Sequence, residues 1–343
     1  MKNIFSICTV WAFILFAGCV EEPQFSNTPQ GNLDACWKIL NEKYCFFSFK
    51  REEYGLDWNE VYERYSKQVG PGINKDSLFT VLNNMMAELR DGHVNLYTPF
   101  NIGRYWDWFQ DYPRNFDANI QRNYLGNNYR IAGGMKYTIL PDSIGYIYYG
   151  SFSNGVGETN LDYVMAYLYT CKGIIIDIRD NGGGSLTQVN TIAGRFTNER
   201  YLSGYIQHKT GKGHDDFSGL YPMYLDPSDR IHYRGPVAVL TNRSVFSAAN
   251  NFVSVMQLLP QVVTIGDRTG GGSGLPFSSE LPNGWSIRFS ASPLYDSEKQ
   301  HTEFGINPDK RVNMDLEDML NGIDSIIEAA KDTLLEIHEK SFS

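Results

Sequence analysis

The sequence lacks several features that would have pointed to a binding partner or a cofactor. No cluster of lysines and arginines occurs anywhere, and 39 acidic against 30 basic residues give a net charge of -9. Nucleic acid is therefore excluded as an expected partner. Only five cysteines are present and no CxxC pair, so neither a zinc knuckle nor a disulfide framework is expected. Cys36 and Cys45 stand nine residues apart in what reads as one helix, about 13 Å of rise and beyond disulfide reach. G-x-S-x-G and H-E-x-x-H are both missing, as is any carboxylate or histidine cluster at metal-ligand spacing. No cofactor is implied. Lysine is absent between Lys212 and Lys299, a gap that matters below.

What is present begins with an N-terminal address. Lys2 precedes an apolar run from Ile4 to Phe16 that is too short for a permanent membrane span. The run ends in Leu15-Phe16-Ala17-Gly18-Cys19, which resembles the lipobox of bacterial lipoproteins. That resemblance implies cleavage before Cys19, acylation of its thiol, and anchorage in the cell envelope. The acidic Val20-Glu21-Glu22 that follows resembles a surface-export signal of some Gram-negative lipoproteins, so the outer membrane is the expected location. Residues 19–31, polar with Pro, Asn and Gly, read as a tether.

With 42% apolar residues the remaining chain can fill a sizeable core. Residues 32–97 carry apolar positions at helical spacing, broken at Gly55 and at Gly70-Pro71-Gly72, and read as a helical cap of three helices that ends in a short strand. Residues 98–136 are polar, aromatic and irregular, and read as a lid or wall, too short for an additional peptide-docking module. From 137 to 343 strands alternate with helices, which predicts an α/β core. The apolar runs Gly173 to Ile178 and Pro236 to Thr241 are expected as strands buried on both faces. Further strands are expected at Ile144 to Tyr149 and Val262 to Gly266, and Asn283-Gly284 marks a hairpin. Helices are expected near 161–169, 186–196 and 247–258, with a closing amphipathic helix over 316–339.

Chemistry in such a core collects where buried strands end. After the first buried run comes Asp177-Ile178-Arg179-Asp180-Asn181-Gly182-Gly183-Gly184; after the second comes Thr241-Asn242-Arg243-Ser244-Val245-Phe246-Ser247-Ala248. Ser247 opens a helix, where free amides and the positive dipole end can stabilise an oxyanion. It could equally be a helix N-cap, and the glycines a tight turn or phosphate cradle.

Taken together these segments resemble the tail-specific, or C-terminal processing, serine peptidases, with the tricorn protease core and the retinoid-binding repeats that share their fold. The glycine turn at 177–184, the helix start at 242–252, the loop Gly266-Asp267-Arg268-Thr269-Gly270-Gly271-Gly272 and the stretch Gly305-Ile306-Asn307-Pro308-Asp309 match in order and spacing. The resemblance implies a crotonase-like sheet, no PDZ module, Ser247 as nucleophile, and an oxyanion hole from the amides of Ala248 and of Gly183 or Gly184. The best-known branch supplies a lysine base at the position of Gly272. Its absence here turns the expectation toward the tricorn-like branch, whose histidine motif resembles Leu89-Arg90-Asp91-Gly92-His93-Val94, and makes His93 the base. Glu303 is the expected acid orienting it. The expected function is a lipid-anchored endopeptidase acting on proteins or peptides. The competing reading is a catalytically silent protein that binds peptides or apolar ligands in the same groove.

Overall fold

The computed structural model describes residues 24–340; the apolar N-terminal run and Cys19 lie outside them. Four helices open the fold: α1 (Pro29–Lys43), α2 (Phe47–Tyr54), α3 (Trp58–Ser66) and α4 (Lys75–Ala87). Thr28, Asp57 and Asn74 cap three of them, each side chain accepting from a first-turn amide. One more helix is present than the periodicity predicts, because the chain breaks at Tyr44 without a glycine or proline. Tyr44 is extended, and the Cys45 amide donates to the Ser290 carbonyl at 3.0 Å, which draws the chain onto a sheet. Cys36 and Cys45 are therefore not on one helix, although both are buried free thiols, as is Cys171.

Two short strands follow, β1 (Asn95–Tyr97) and β2 (Ile102–Arg104), then α5 (Ala118–Leu125). The remainder runs β3 (Arg130–Ala132), β4 (Met135–Ile139), β5 (Ile144–Tyr149), α6 (Glu158–Leu168), β6 (Gly173–Asp177), α7 (Leu186–Ala193), β7 (Tyr201–Ile206) and β8 (Tyr221–Leu225). It continues through β9 (Val237–Thr241), α8 (Ala248–Met256), β10 (Val262–Gly266), β11 (Gly274–Glu280), β12 (Ser286–Tyr295), β13 (Lys310–Arg311), α9 (Leu316–Leu320) and α10 (Ser325–Lys340). The single closing helix expected over 316–339 is thus two helices, separated where Gly322 takes a positive φ of 74°.

One sheet has the order β13-β10-β9-β6-β5-β4-β3, parallel from β13 to β5 and antiparallel beyond. Its central strands are covered on both faces, which explains their unbroken apolar runs. Ile174, Ile176, Val237 and Val239 pack with α6, α7 and α8, while the alternate residues Ile175, Ala238 and Leu240 pack with α10. The other sheet has the order β2-β1-β12-β7-β8, with β11 also on β12. Helices α1 to α4 share a core with Ile287 and Phe289 of β12. The N-terminal segment is thereby bound to a hairpin near the far end of the chain, and β11 and β12 turn at Asn283-Gly284 as the sequence predicts.

The end of β6 is fixed by a fully buried ion cluster. Arg179 bonds Asp177 through Nε (2.9 Å) and Nη2 (2.7 Å), and Asp324 through Nη1 (3.0 Å); none of the three side chains is exposed. Removing the guanidinium leaves two desolvated carboxylates facing each other. Arg179→Ala is therefore expected to cost roughly 3–5 kcal/mol of stability, read as a fall of about 10 °C in the thermal midpoint.

Candidate active site

Ser247 stands between β9 and α8 with φ 59° and ψ -123°, a backbone conformation that a residue bearing a Cβ adopts only at a cost of roughly 1–3 kcal/mol. Its neighbours hold it there. The Ser247 amide donates to the Gly271 carbonyl (2.8 Å), the Phe246 amide to the Asn181 carbonyl (3.1 Å), and the Asn251 amide to the Ser247 carbonyl (3.0 Å). The serine side chain does not cap the helix it opens. Its Oγ lies 3.0 Å from Nε2 of His93, a residue 154 positions away in sequence.

His93 arrives on a tight turn after α4. Asp91 Oδ1 accepts from the His93 backbone amide at 2.7 Å, and Asp91 Oδ2 accepts from the Tyr44 hydroxyl (3.0 Å) and the Ser290 hydroxyl (2.8 Å). The aspartate thus ties helical segment, turn and β12 together beneath the imidazole. Gly92 permits this approach, since a Cβ there would press on the Phe246 and Trp108 rings. The imidazole is 3% exposed and packs on Phe246 with 4.7 Å between centroids.

Burial holds the His93 imidazole at a pKa of about 4; the charge of Asp91 raises it, while those of Arg288 and Lys50 oppose protonation. His301, enclosed by Phe46, Phe49 and Tyr295, is likewise lowered to about 4 by burial. An unfolded histidine takes its proton near pH 6.5, so between about 6.5 and 4 the unfolded chain binds more protons than the folded one. Stability is expected to fall on acidification through that window and to be insensitive to these two groups above it. Chemical denaturation at pH 7.5, 6 and 5 checks this through the midpoint.

Gly272, the position at which a lysine base would be expected in the other branch, cannot carry one. Its φ is 79°, and a Cβ there would overlap the Phe246 ring that also supports His93. The sequence turns at 177–184 and 266–272 meet at Ser247. Gly183 lies against the Phe246 carbonyl and the Ser247 Cβ so closely that no side chain fits. The Gly183 amide, however, donates to Asn181 Oδ1 at 2.9 Å. Among the described residues the amides of Gly184 and Ala248 have no such partner.

Glu303 differs from expectation. It is buried, but its oxygens accept from Lys50 Nζ (3.2 Å) and from the Ser273 amide (2.8 Å), so the expected hydrogen bond with His93 is not formed. Nδ1 of His93 is buried without a hydrogen-bond partner among the described residues. Burial and the nearby Asp91 charge push the Glu303 carboxyl up, against the Lys50 ammonium. Sequence reasoning missed Lys50, a lysine with no exposed surface on α2 that also donates to the Arg90 carbonyl at 3.0 Å. It missed the role of Asp91 as well, although an Asp two residues before a histidine at an element junction is a recognisable turn signal.

A cavity of about 480 Å³ opens over Ser247 and His93. Its walls include Gly182 to Gly184, Leu275, Pro276, Arg104 at the end of β2 and, from the irregular segment that follows, Tyr105, Trp106 and Trp108. A serine at a helix start, a neutral imidazole on its Oγ and unoccupied amides beside it form an arrangement able to carry out acyl transfer.

Residues 143–312 match peptidase family S41, and residues 25–87 match the tricorn protease C1 domain. A candidate peptidase of Parabacteroides merdae ATCC 43184, known from its crystal structure, is 57% identical and superposes with a TM-score of 0.86; the match covers 90% of this chain and 98% of that one. The chain belongs to peptidase family S41. The wider S41 likeness includes mature CPAF, 11% identical with a TM-score of 0.72 over 92% of this chain and 98% of that one, which shows the shared fold. A protein of Chlamydia trachomatis serovar D is 28% identical over 116 residues, which are 33% of this chain and 19% of that protein. This chain therefore aligns with only about a fifth of that curated relative. Within the S41 fold the N-terminal helices and the sheet core meet at the His93 to Ser247 contact.

Proposed function

We propose that this S41 member is a lipid-anchored endopeptidase that cleaves peptide bonds through an acyl-enzyme on Ser247, with His93 as general base. The 3.0 Å contact between His93 Nε2 and Ser247 Oγ carries the reading. The imidazole takes the hydroxyl proton as Oγ attacks the peptide carbonyl, then returns it to the leaving amine; a water repeats the cycle to release the acyl group. The amides of Ala248 and Gly184 hold the oxyanion, Gly184 being preferred because the Gly183 amide is engaged by Asn181. Asp91 supplies the charge that favours the transient imidazolium. Glu303 contributes at one remove, by fixing Lys50 and the Ser273 amide beside the glycine loop.

Cleavage of a mixed peptide pool, followed by mass spectrometry, tests the reading. The wild-type protein is expected to generate defined new termini, and Ser247→Ala to generate none; identical products from both would refute the assignment. Anchorage at Cys19 in the outer membrane belongs to the same proposal, supported by the lipobox-like sequence alone. It predicts incorporation of an alkyne-palmitate label that disappears in Cys19→Ser.

A further inference from the structure

We infer that the cavity over Ser247 contains a carboxylate-binding subsite built by Arg104 and Arg288, so that the protein selects peptides presenting a carboxylate beside the scissile bond. This rests on the reading of the cavity as the peptide-binding site, and it specifies what that site selects. Three strands present the subsite. Asn95 of β1 is paired with Arg104 of β2 on one side and with Arg288 of β12 on the other. Residues directly opposite in adjacent strands point to the same face, and all three line the cavity, as do His93 and Tyr97, the alternate residues along the same stretch. With strands about 4.8 Å apart, the two arginine backbones stand roughly 10 Å from each other across Asn95, a span that two guanidinium arms bridge onto one carboxylate.

Among the described residues no Asp or Glu lines this cavity, in a chain whose net charge is -9. Neither guanidinium forms an ion pair with any described residue, although both lie in a cavity wall and not on open surface. Arg104 is half-buried and rests on the Trp106 ring at 5.2 Å, and its Nε is buried without a hydrogen-bond partner. A half-buried guanidinium whose buried Nε has no partner, beside a second arginine in a cleft lined by no described acid, is a receptor for an anion, and its planar fork matches a carboxylate. Arg288 is close enough to His93 for its charge to oppose protonation of the imidazole. A carboxylate seated on Arg288 would offset that charge, so the preferred substrate would gain in kcat as well as in binding.

The test uses the full chain and a peptide that the wild-type protein cleaves, resynthesised with each Asp or Glu changed to its amide and, separately, with an amidated C-terminus. One neutralisation is expected to lower kcat/KM at least tenfold. Loss on side-chain amidation identifies an internal acidic residue as the ligand; loss on C-terminal amidation identifies the chain terminus. In Arg104→Gln/Arg288→Gln the ratio between charged and neutral peptide should shrink to within about twofold, and in Arg104→Lys/Arg288→Lys it should be intermediate, with the thermal midpoint of each variant establishing that it is folded. The same ratio is read independently of catalysis as a Kd ratio on Ser247→Ala by calorimetry. Equal handling of charged and neutral peptides by the wild-type protein, or an undiminished preference in the double glutamine variant, overturns the subsite. Should the wild-type protein cleave nothing, the peptidase reading fails by itself, and the Kd ratio is then read for peptides captured from the mixed pool by Ser247→Ala and resynthesised with the same amide changes: equal Kd values for the acidic and amidated forms, or no captured peptide, overturn the subsite.

Discussion

His93→Ala is expected to reduce kcat/KM for any cleaved peptide by about 10⁴-fold or more, with kcat bearing nearly all of the loss. Among the described residues the imidazole is the one hydrogen-bonding group on the Ser247 hydroxyl, at 3.0 Å. Among the described residues no substitute base lines the site: Gly272 admits no side chain, and Lys50 is committed to Glu303 and the Arg90 carbonyl. Because burial keeps the imidazole neutral down to about pH 4, the wild-type rate should stay level as the pH falls from 8 to about 5, where an ordinary histidine base would already have been titrated. The remaining activity of His93→Ala should show no histidine limb. Steady-state kinetics on a peptide of known cleavage site checks both, and a circular dichroism melt within a few degrees of wild type excludes misfolding.

Lys50→Met is expected to cost as much stability as Arg179→Ala, roughly 3–5 kcal/mol, although it too lies away from the reacting atoms. The Lys50 ammonium and the Glu303 carboxylate are 0% and 2% exposed, and Asp91 is close enough to raise the Glu303 carboxyl further. Taking away the cation leaves two acids in an apolar site. The damage should also reach catalysis. Glu303 holds the Ser273 amide through its side chain and the Gly272 amide through its carbonyl, and Gly271 of the same loop accepts from the Ser247 amide. A loosened Glu303 therefore frees the loop that keeps Ser247 in its strained conformation. Adding Glu303→Gln to Lys50→Met removes the stranded charge and is expected to recover at least half of the lost stability, which urea denaturation of the single and double variants measures.

Much of this arrangement is legible in the sequence because it lies within contiguous motifs. The buried strands β6 and β9 announce themselves as unbroken apolar runs rich in β-branched residues, since both of their faces are covered. Ser247 is visible as the residue where such a run meets a helix, and the glycine turn as the only backbone that can pass against its Cβ. The helices α1 and α2 read as one because the break at Tyr44 is imposed by a sheet contact from Ser290, not by a local signal. Strands β7 and β8 were likewise hidden, being half-exposed and irregular in composition. Glu303 reads from the sequence as the acid orienting His93, but its partner is a lysine 253 residues earlier, and a lysine in an amphipathic helix looks like a solvated one. The pairing of Arg104 and Arg288 across Asn95 depends on strand register between distant segments, which no spacing in the sequence encodes.

Reaction with a fluorophosphonate probe, read by mass spectrometry of the modified peptide, tests the central claim most directly. The account predicts one phosphonylated residue, Ser247, in the wild-type protein and at least a hundredfold slower modification in folded His93→Ala. An unmodified Ser247 in folded wild-type protein, or equal labelling rates in the two proteins, would contradict it.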